Sequence, residues 1–155
     1  GAGVAFKLVQ AISQKQDEAG LIQKLPVGFE KWLLDLVGIA TVGDIVPLLA
    51  ENRLLVKYGL IVLEKTKRVG IMKIVEKANN FSGKLDTTYI GWRLVPRINA
   101  AGRVNHASLA FELLTATDEA TAARLAQQLE EENSKRQLIT AGILKEAENQ
   151  TKNQQ

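Results

Sequence analysis

The 155-residue chain contains no cysteine. That excludes disulfide scaffolds, cysteine-ligated zinc and every cysteine nucleophile. It has one histidine, His106, which rules out a multi-histidine metal site and leaves a Ser-His-Asp triad a single base to draw on. No apolar run approaches the roughly eighteen residues a membrane span needs, and no cleavable signal opens the chain. The expectation from these absences is a soluble, cytoplasmic protein with no membrane partner. A net charge of +3 is a weak argument for a polyanionic ligand until the charges are located. What is present is ordinary globular composition, 46% hydrophobic and 24% charged, with enough chain for one core.

The apolar spacing is helical almost throughout. Val4, Leu8, Val9 and Ile12 lie three to four apart, so the chain opens inside a helix, and Gly1 is expected to lie within a longer protein. A polar stretch from Ser13 to Gly20 precedes Leu21 to Leu25, which Pro26 closes. From Phe29, the series Trp32, Leu33, Leu36, Val37, Ala40 predicts an apolar helix that stops before Pro47. Arg53 to Lys65 reads as an amphipathic helix, Gly70 to Ala78 as a short one, and Asn79 to Asp86 as a loop. Asp86 to Arg103 is ambiguous: Thr87 to Ile90 lean toward strand, while Gly91, Pro96 and Gly102 punctuate the segment. Asn105 is a candidate cap for a helix through Leu114. Thr117 is a candidate cap for a last helix reaching about Glu148, on the order of 45 Å long. The apolar stripe of that helix breaks between Glu130 and Gln137 and resumes at Leu138, so it reads as a connector, wet in its middle. No internal repeat is visible.

The charges are unevenly placed. Between Asn52 and Lys77 there are seven bases (Arg53, Lys57, Lys65, Lys67, Arg68, Lys73 and Lys77) against two acids, Glu64 and Glu76. From Gly91 to Arg103 there are three arginines and no acid. The pattern suits a basic face for a polyanion, although lysines on amphipathic helices also serve simply to solvate an outer surface. The arginines sit among small residues with little apolar surface to cover, and arginine is the better phosphate fork.

Two segments carry the chemistry. In Leu34 to Leu48 an apolar helix delivers Asp44 at its end, and Pro47 fixes the exit. Taken alone, Asp44 is as readily a capping or turn residue as a metal ligand. In Pro96-Arg97-Ile98-Asn99-Ala100-Ala101-Gly102-Arg103, two arginines flank a small, hydrogen-bonding spacer. That arrangement fits a phosphate, and equally a tight helix junction anchored by arginine. Gly1-Ala2-Gly3 lacks a preceding strand and a third glycine, so it reads as close helix packing rather than a dinucleotide loop. Trp92 could stack a base, but beside Leu94 and Val95 it is expected in the core.

Together these strings make the chain resemble the single-stranded-DNA-specific 5′→3′ exonucleases of the DHH phosphoesterase superfamily. The matching stretches are Gly1 to Leu8, Leu34 to Leu48, Glu51-Asn52-Arg53 with Gly59-Leu60, Pro96 to Arg103, and Leu129 with Asn133 and Arg136.

The resemblance implies a mainly α piece: the helical C-terminal part of a DHH-type α/β catalytic domain (1–116), then a long connector helix (117–155). It implies a parent hydrolase that binds two manganese or magnesium ions, cleaves single-stranded DNA in repair and recombination, and acts as a monomer, with repair proteins as partners. Asp44 looks like the aspartate of the fourth metal-binding motif. Arg103 looks like the arginine that holds substrate phosphate at the active site, with Arg97 and Asn99 in support. The remaining motifs would lie outside these residues, so this stretch by itself is expected to bind no metal and to be inactive. His106 is expected at a helix start or the surface, not as a ligand. The competing readings are a superfamily phosphodiesterase for oligoribonucleotides or cyclic dinucleotides, and a non-catalytic helical scaffold.

Overall fold

The computed structural model describes residues 1–15, 25–78, 84–104 and 108–152; within these, the side chains of Ala101, Arg103 and Val104 fall outside the description. Every element among the described residues is helical. The chain forms two compact units, Gly1–Lys67 with Phe81–Val95, and Arg68–Asn80 with Pro96–Gln155. The units do not divide where the long helix begins.

The first unit is built around α2 (Leu34–Gly43), entered through a 3₁₀ turn over Phe29–Leu33. Helices α1 (Ala2–Lys15) and α3 (Ala50–Leu63) both pack against it. Residues on several sides of α2 are buried, among them Asp35, Val37, Ile39 and Thr41, which is why its sequence is apolar all round rather than striped. The α2–α3 crossing is set by a glycine pair. A Cβ on Gly59 would lie 2.6 Å from the carbonyl oxygen of Leu34 and 3.0 Å from Cα of Gly38, so only glycine allows the two backbones to approach this closely. Asp35 is fully buried, and its carboxylate accepts from the Leu36 N–H (2.7 Å) and from Thr66 Oγ1 (2.9 Å).

The segment that leaned toward strand is helical. Asp86 caps it by accepting the Tyr89 N–H at 2.7 Å, opening α5 (Thr87–Tyr89). The chain then widens into π-helix over Ile90–Leu94, where the Val95 N–H reaches five residues back to Ile90, and continues as α6 (Val95–Val104). Pro96 has no N–H to donate to the carbonyl four residues back and its ring crowds that turn, so a widened turn just upstream lets the helix run through it. Residue propensity pointed to a break that this local change of pitch avoids.

In the second unit α4 (Val69–Lys77) and α7 (Ser108–Thr115) pack on α8 (Glu119–Lys152), a single helix of 34 residues. A Cβ on Gly70 would lie 1.8 Å from the carbonyl oxygen of Leu113, which fixes the α4–α7 contact. Asp118, not Thr117, caps α8: its carboxylate accepts the Thr121 N–H at 2.8 Å, and that bond holds its carboxyl below the usual range. The other correction concerns the middle of α8. The polar interruption is wet on one side only: Glu131, Ser134, Lys135 and Gln137 are exposed, while Glu132 and Asn133 are buried alongside Leu125 and Leu129. Asn105 lies outside the described residues, as do 16–24 and 79–83, which hold most of two stretches read from the sequence as polar, helical or loop.

Candidate functional site

Asp44 terminates α2. Its N–H bonds to Ala40 O (2.9 Å), and the next two amides, Ile45 and Val46, reach back to Val42 (3.1 Å) and Thr41 (3.2 Å). These bonds wind the chain so tightly that Ile45 adopts φ 53°, a left-handed conformation that a β-branched side chain strongly resists. Pro47 then turns the backbone out, and its carbonyl is held twice, by the Leu49 N–H (2.9 Å) and by Asn52 Nδ2 (3.1 Å) from the first turn of α3.

The result is an exposed carboxylate at a helix C-terminus, the end whose partial charge disfavours an anion. Asp44 therefore does not act as a capping side chain, and none of its hydrogen bonds or ion pairs involves its carboxylate among the described residues. It faces a cleft of about 240 Å³ lined also by Gly1–Gly3, Thr41, Glu51 and Asn52. Lys7 and Glu51 form an ion pair at this cleft. The Gly1-Ala2-Gly3 run lines the cleft wall rather than a close helix crossing: a Cβ on Gly3 would meet only the Leu55 side chain, at 3.6 Å.

The second predicted string lies on α6, in the other unit. Arg97 is 9% exposed and forms a two-point fork with Glu130 of α8, Nε to Oε2 at 2.5 Å and Nη2 to Oε1 at 3.2 Å. That fork is the arginine-anchored helix junction which the sequence allowed as one of two alternatives. Asn99 is exposed, and Ala100 is fully buried. The Arg103 side chain and His106 lie outside the described residues. Arg97, Asn99 and Arg103 thus share one helix, while Asp44 belongs to the first unit.

Sequence reasoning matched Asn133 and Arg136 to the family without giving them a role, and missed Glu132. Asn133 is 1% exposed and takes a bond from Arg136 Nη2 at 3.2 Å; Glu132 pairs with Lys135 at 2.8 Å. The signal was the polar break in the apolar stripe of α8, read as solvated throughout although its Glu132 and Asn133 are buried. In the basic stretch, Lys73 is committed to Glu76 (3.1 Å) and Glu119 (3.7 Å), and the hydrogen bond to Glu76 raises its pKa above the usual lysine value.

A divalent ion needs several oxygen or nitrogen ligands. Among the described residues no three His, Cys, Asp or Glu side chains come together as such a set. Asp44 is suited to be one ligand of such a site.

Comparison with known proteins defines a class first: bacterial exonucleases specific for single-stranded DNA. Within it the resemblance is to RecJ. Over 150 residues the chain is 39% identical to RecJ of Dickeya dadantii, covering 95% of this chain and 26% of that protein. It is 36% identical over 147 residues to RecJ of Bacillus subtilis, covering 95% of the chain and 17% of the relative. In structure it resembles the manganese complex of RecJ from Thermus thermophilus, with a TM-score of 0.80 at 32% identity over 94% of this chain and 21% of that one. A RecJ exonuclease bound to manganese matches with a TM-score of 0.78 at 33% identity, over 93% of this chain and 34% of that one. No protein-family model matches the chain. The resemblance read from the motifs agrees with these comparisons: the chain is similar to RecJ in sequence and helical arrangement, and it spans about a quarter or less of the curated relatives it matches.

Proposed function

We propose that the protein carrying this chain is a single-stranded-DNA-specific exonuclease that uses manganese or magnesium, digests 5′→3′, and works in DNA repair and recombination in the cytoplasm. The observation that carries the reading is Asp44: a carboxylate unpaired among the described residues and held beside a cleft by a strained turn, within a stretch that follows RecJ along nearly its whole length. Folding gains nothing from a carboxylate at a helix C-terminus, so its use must lie in binding. In this proposal Asp44 supplies one oxygen ligand to a metal site whose other ligands come from residues outside this chain. Arg103 offers a planar pair of donors to a substrate phosphate. Arg97, through Glu130, fixes α6 against α8 and so sets where Arg103 starts from. Asn99, exposed on the same helix, is available for a supporting contact.

The test is Asp44→Ala in the full-length protein, assayed by nucleotide release from a 5′-labelled single strand with manganese. Release should fall by about a thousandfold or more, as for loss of an essential electrostatic group. The thermal midpoint should stay level or rise, because removing the charge relieves the helix end by roughly 0.3–1 kcal/mol. Retained turnover, or a collapse of the midpoint, would make Asp44 a structural residue and remove the main support for this reading.

A further inference from the structure

Trp92 is the clearest disagreement between sequence pattern and structure. Expected in the core, it is 78% exposed, while Ile90 and Leu94 on either side are 1% and 0% exposed. The π-helical stretch thus pins its own backbone and turns a large apolar ring outward. Tryptophan is seldom left in water without a use, and π-helical widening is frequent at functional sites.

The packing of this stretch says where that ring stands. A Cβ on Gly91 would lie 3.8 Å from Val42 Cγ1, and Val95 Cγ2 lies 3.1 Å from the position a Cβ on Gly43 would take. Trp92 therefore sits between two residues that rest on the last turn of α2, at the shoulder of the turn that presents Asp44. The exposed Arg93 follows it, and the sequence from Thr87 to Ala107 contains no acid. A flat aromatic face with a neighbouring cation has the ingredients of a platform for nucleobases.

We propose that Trp92 stacks an unpaired base of the substrate strand close to the Asp44 turn, and by doing so helps select single strands over duplex. The inference rests on the exonuclease reading above. A base inside a duplex is already stacked on both faces and paired at its edge, so only a single strand can present one to the indole.

The experiment uses the full-length protein, a non-cleavable phosphorothioate oligothymidylate and EDTA, so that binding is read without turnover. Trp92→Ala should weaken binding by about 5- to 100-fold, the range found for loss of one base–aromatic stack, whereas Trp92→Phe should lose only a few-fold. Moving a single abasic site along the oligonucleotide should reveal one position that weakens the wild type and leaves Trp92→Ala indifferent. A merely structural tryptophan would not produce that coupling. If Trp92→Ala folds, binds and digests single strands as the wild type does, and the wild type shows no abasic-sensitive position that Trp92→Ala lacks, Trp92 covers another protein surface and the inference fails while the exonuclease reading stands. If the wild type neither binds nor digests single strands, the exonuclease reading fails with it.

Discussion

Two charged residues that look alike in a motif can do opposite work once folded. Asp44 is an anion placed where the helix end repels it, without a partner among the described residues, whereas Arg97 is a cation whose fork is filled by Glu130. The difference predicts different phenotypes. Arg97→Ala leaves Glu130 uncompensated at a site whose side chain is 27% exposed. Breaking a fully buried pair costs about 3–5 kcal/mol; partial exposure brings the expectation down to about 2 kcal/mol. Urea denaturation would measure it, and the double replacement Arg97→Met with Glu130→Leu should recover most of the loss, since matched apolar side chains carry no desolvation penalty. A variant with unchanged stability but weakened binding of single-stranded DNA would mean that Arg97 meets phosphate directly.

At the scale of the helix, two crossings depend on the missing side chain of a glycine. At Gly70 an added methyl group would overlap the backbone oxygen of Leu113, and a backbone cannot step aside as a side chain can. Gly70→Ala should therefore cost about 1–3 kcal/mol or more, although alanine is the better helix former by about 1 kcal/mol. Gly102, with open space around its Cβ position, is the control: Gly102→Ala should be neutral or stabilising by thermal melting. Should Gly70→Ala melt no lower than the parent, the α4–α7 contact is looser than described. Element positions were mostly legible from apolar spacing, as for α2, α3 and α4. The run from Thr87 to Val104 was not, because β-branched residues, two glycines and a proline each speak locally against helix. A single π-helical widening upstream of Pro96 reconciles them.

For the whole molecule, one carboxylate does not make a two-ion hydrolase. The 155-residue chain by itself, purified free of other nucleases and supplied with manganese, should release no nucleotides from a 5′-labelled single strand. Metal-dependent release would show that the residues here suffice for the chemistry. Motif strings made Asp44 and the α6 arginines visible as candidates, since each string is contiguous. The roles of Glu130, Glu132 and Asn133 escaped notice because they depend on pairing and burial, which are set by chain far away in sequence. Trp92 was misplaced for the converse reason: apolar neighbours suggest a core, but which way a side chain points depends on helical pitch.

The burial of α8 is lopsided, and that has a mechanical consequence. Buried residues end at Asn133, and every residue from Gln137 to Lys152 is exposed, Leu138, Ile139, Ile143 and Leu144 included. Those residues form a rod about 24 Å long, clamped at one end by the close-packed first half of the same helix. A clamped rod is a lever: a rotation of about 5° at its root carries the far end through about 2 Å, given the same rise per residue. The buried polar residues Glu132 and Asn133 sit at the fulcrum, so a small repacking there would be multiplied along the helix into a displacement large enough to be felt by whatever it touches.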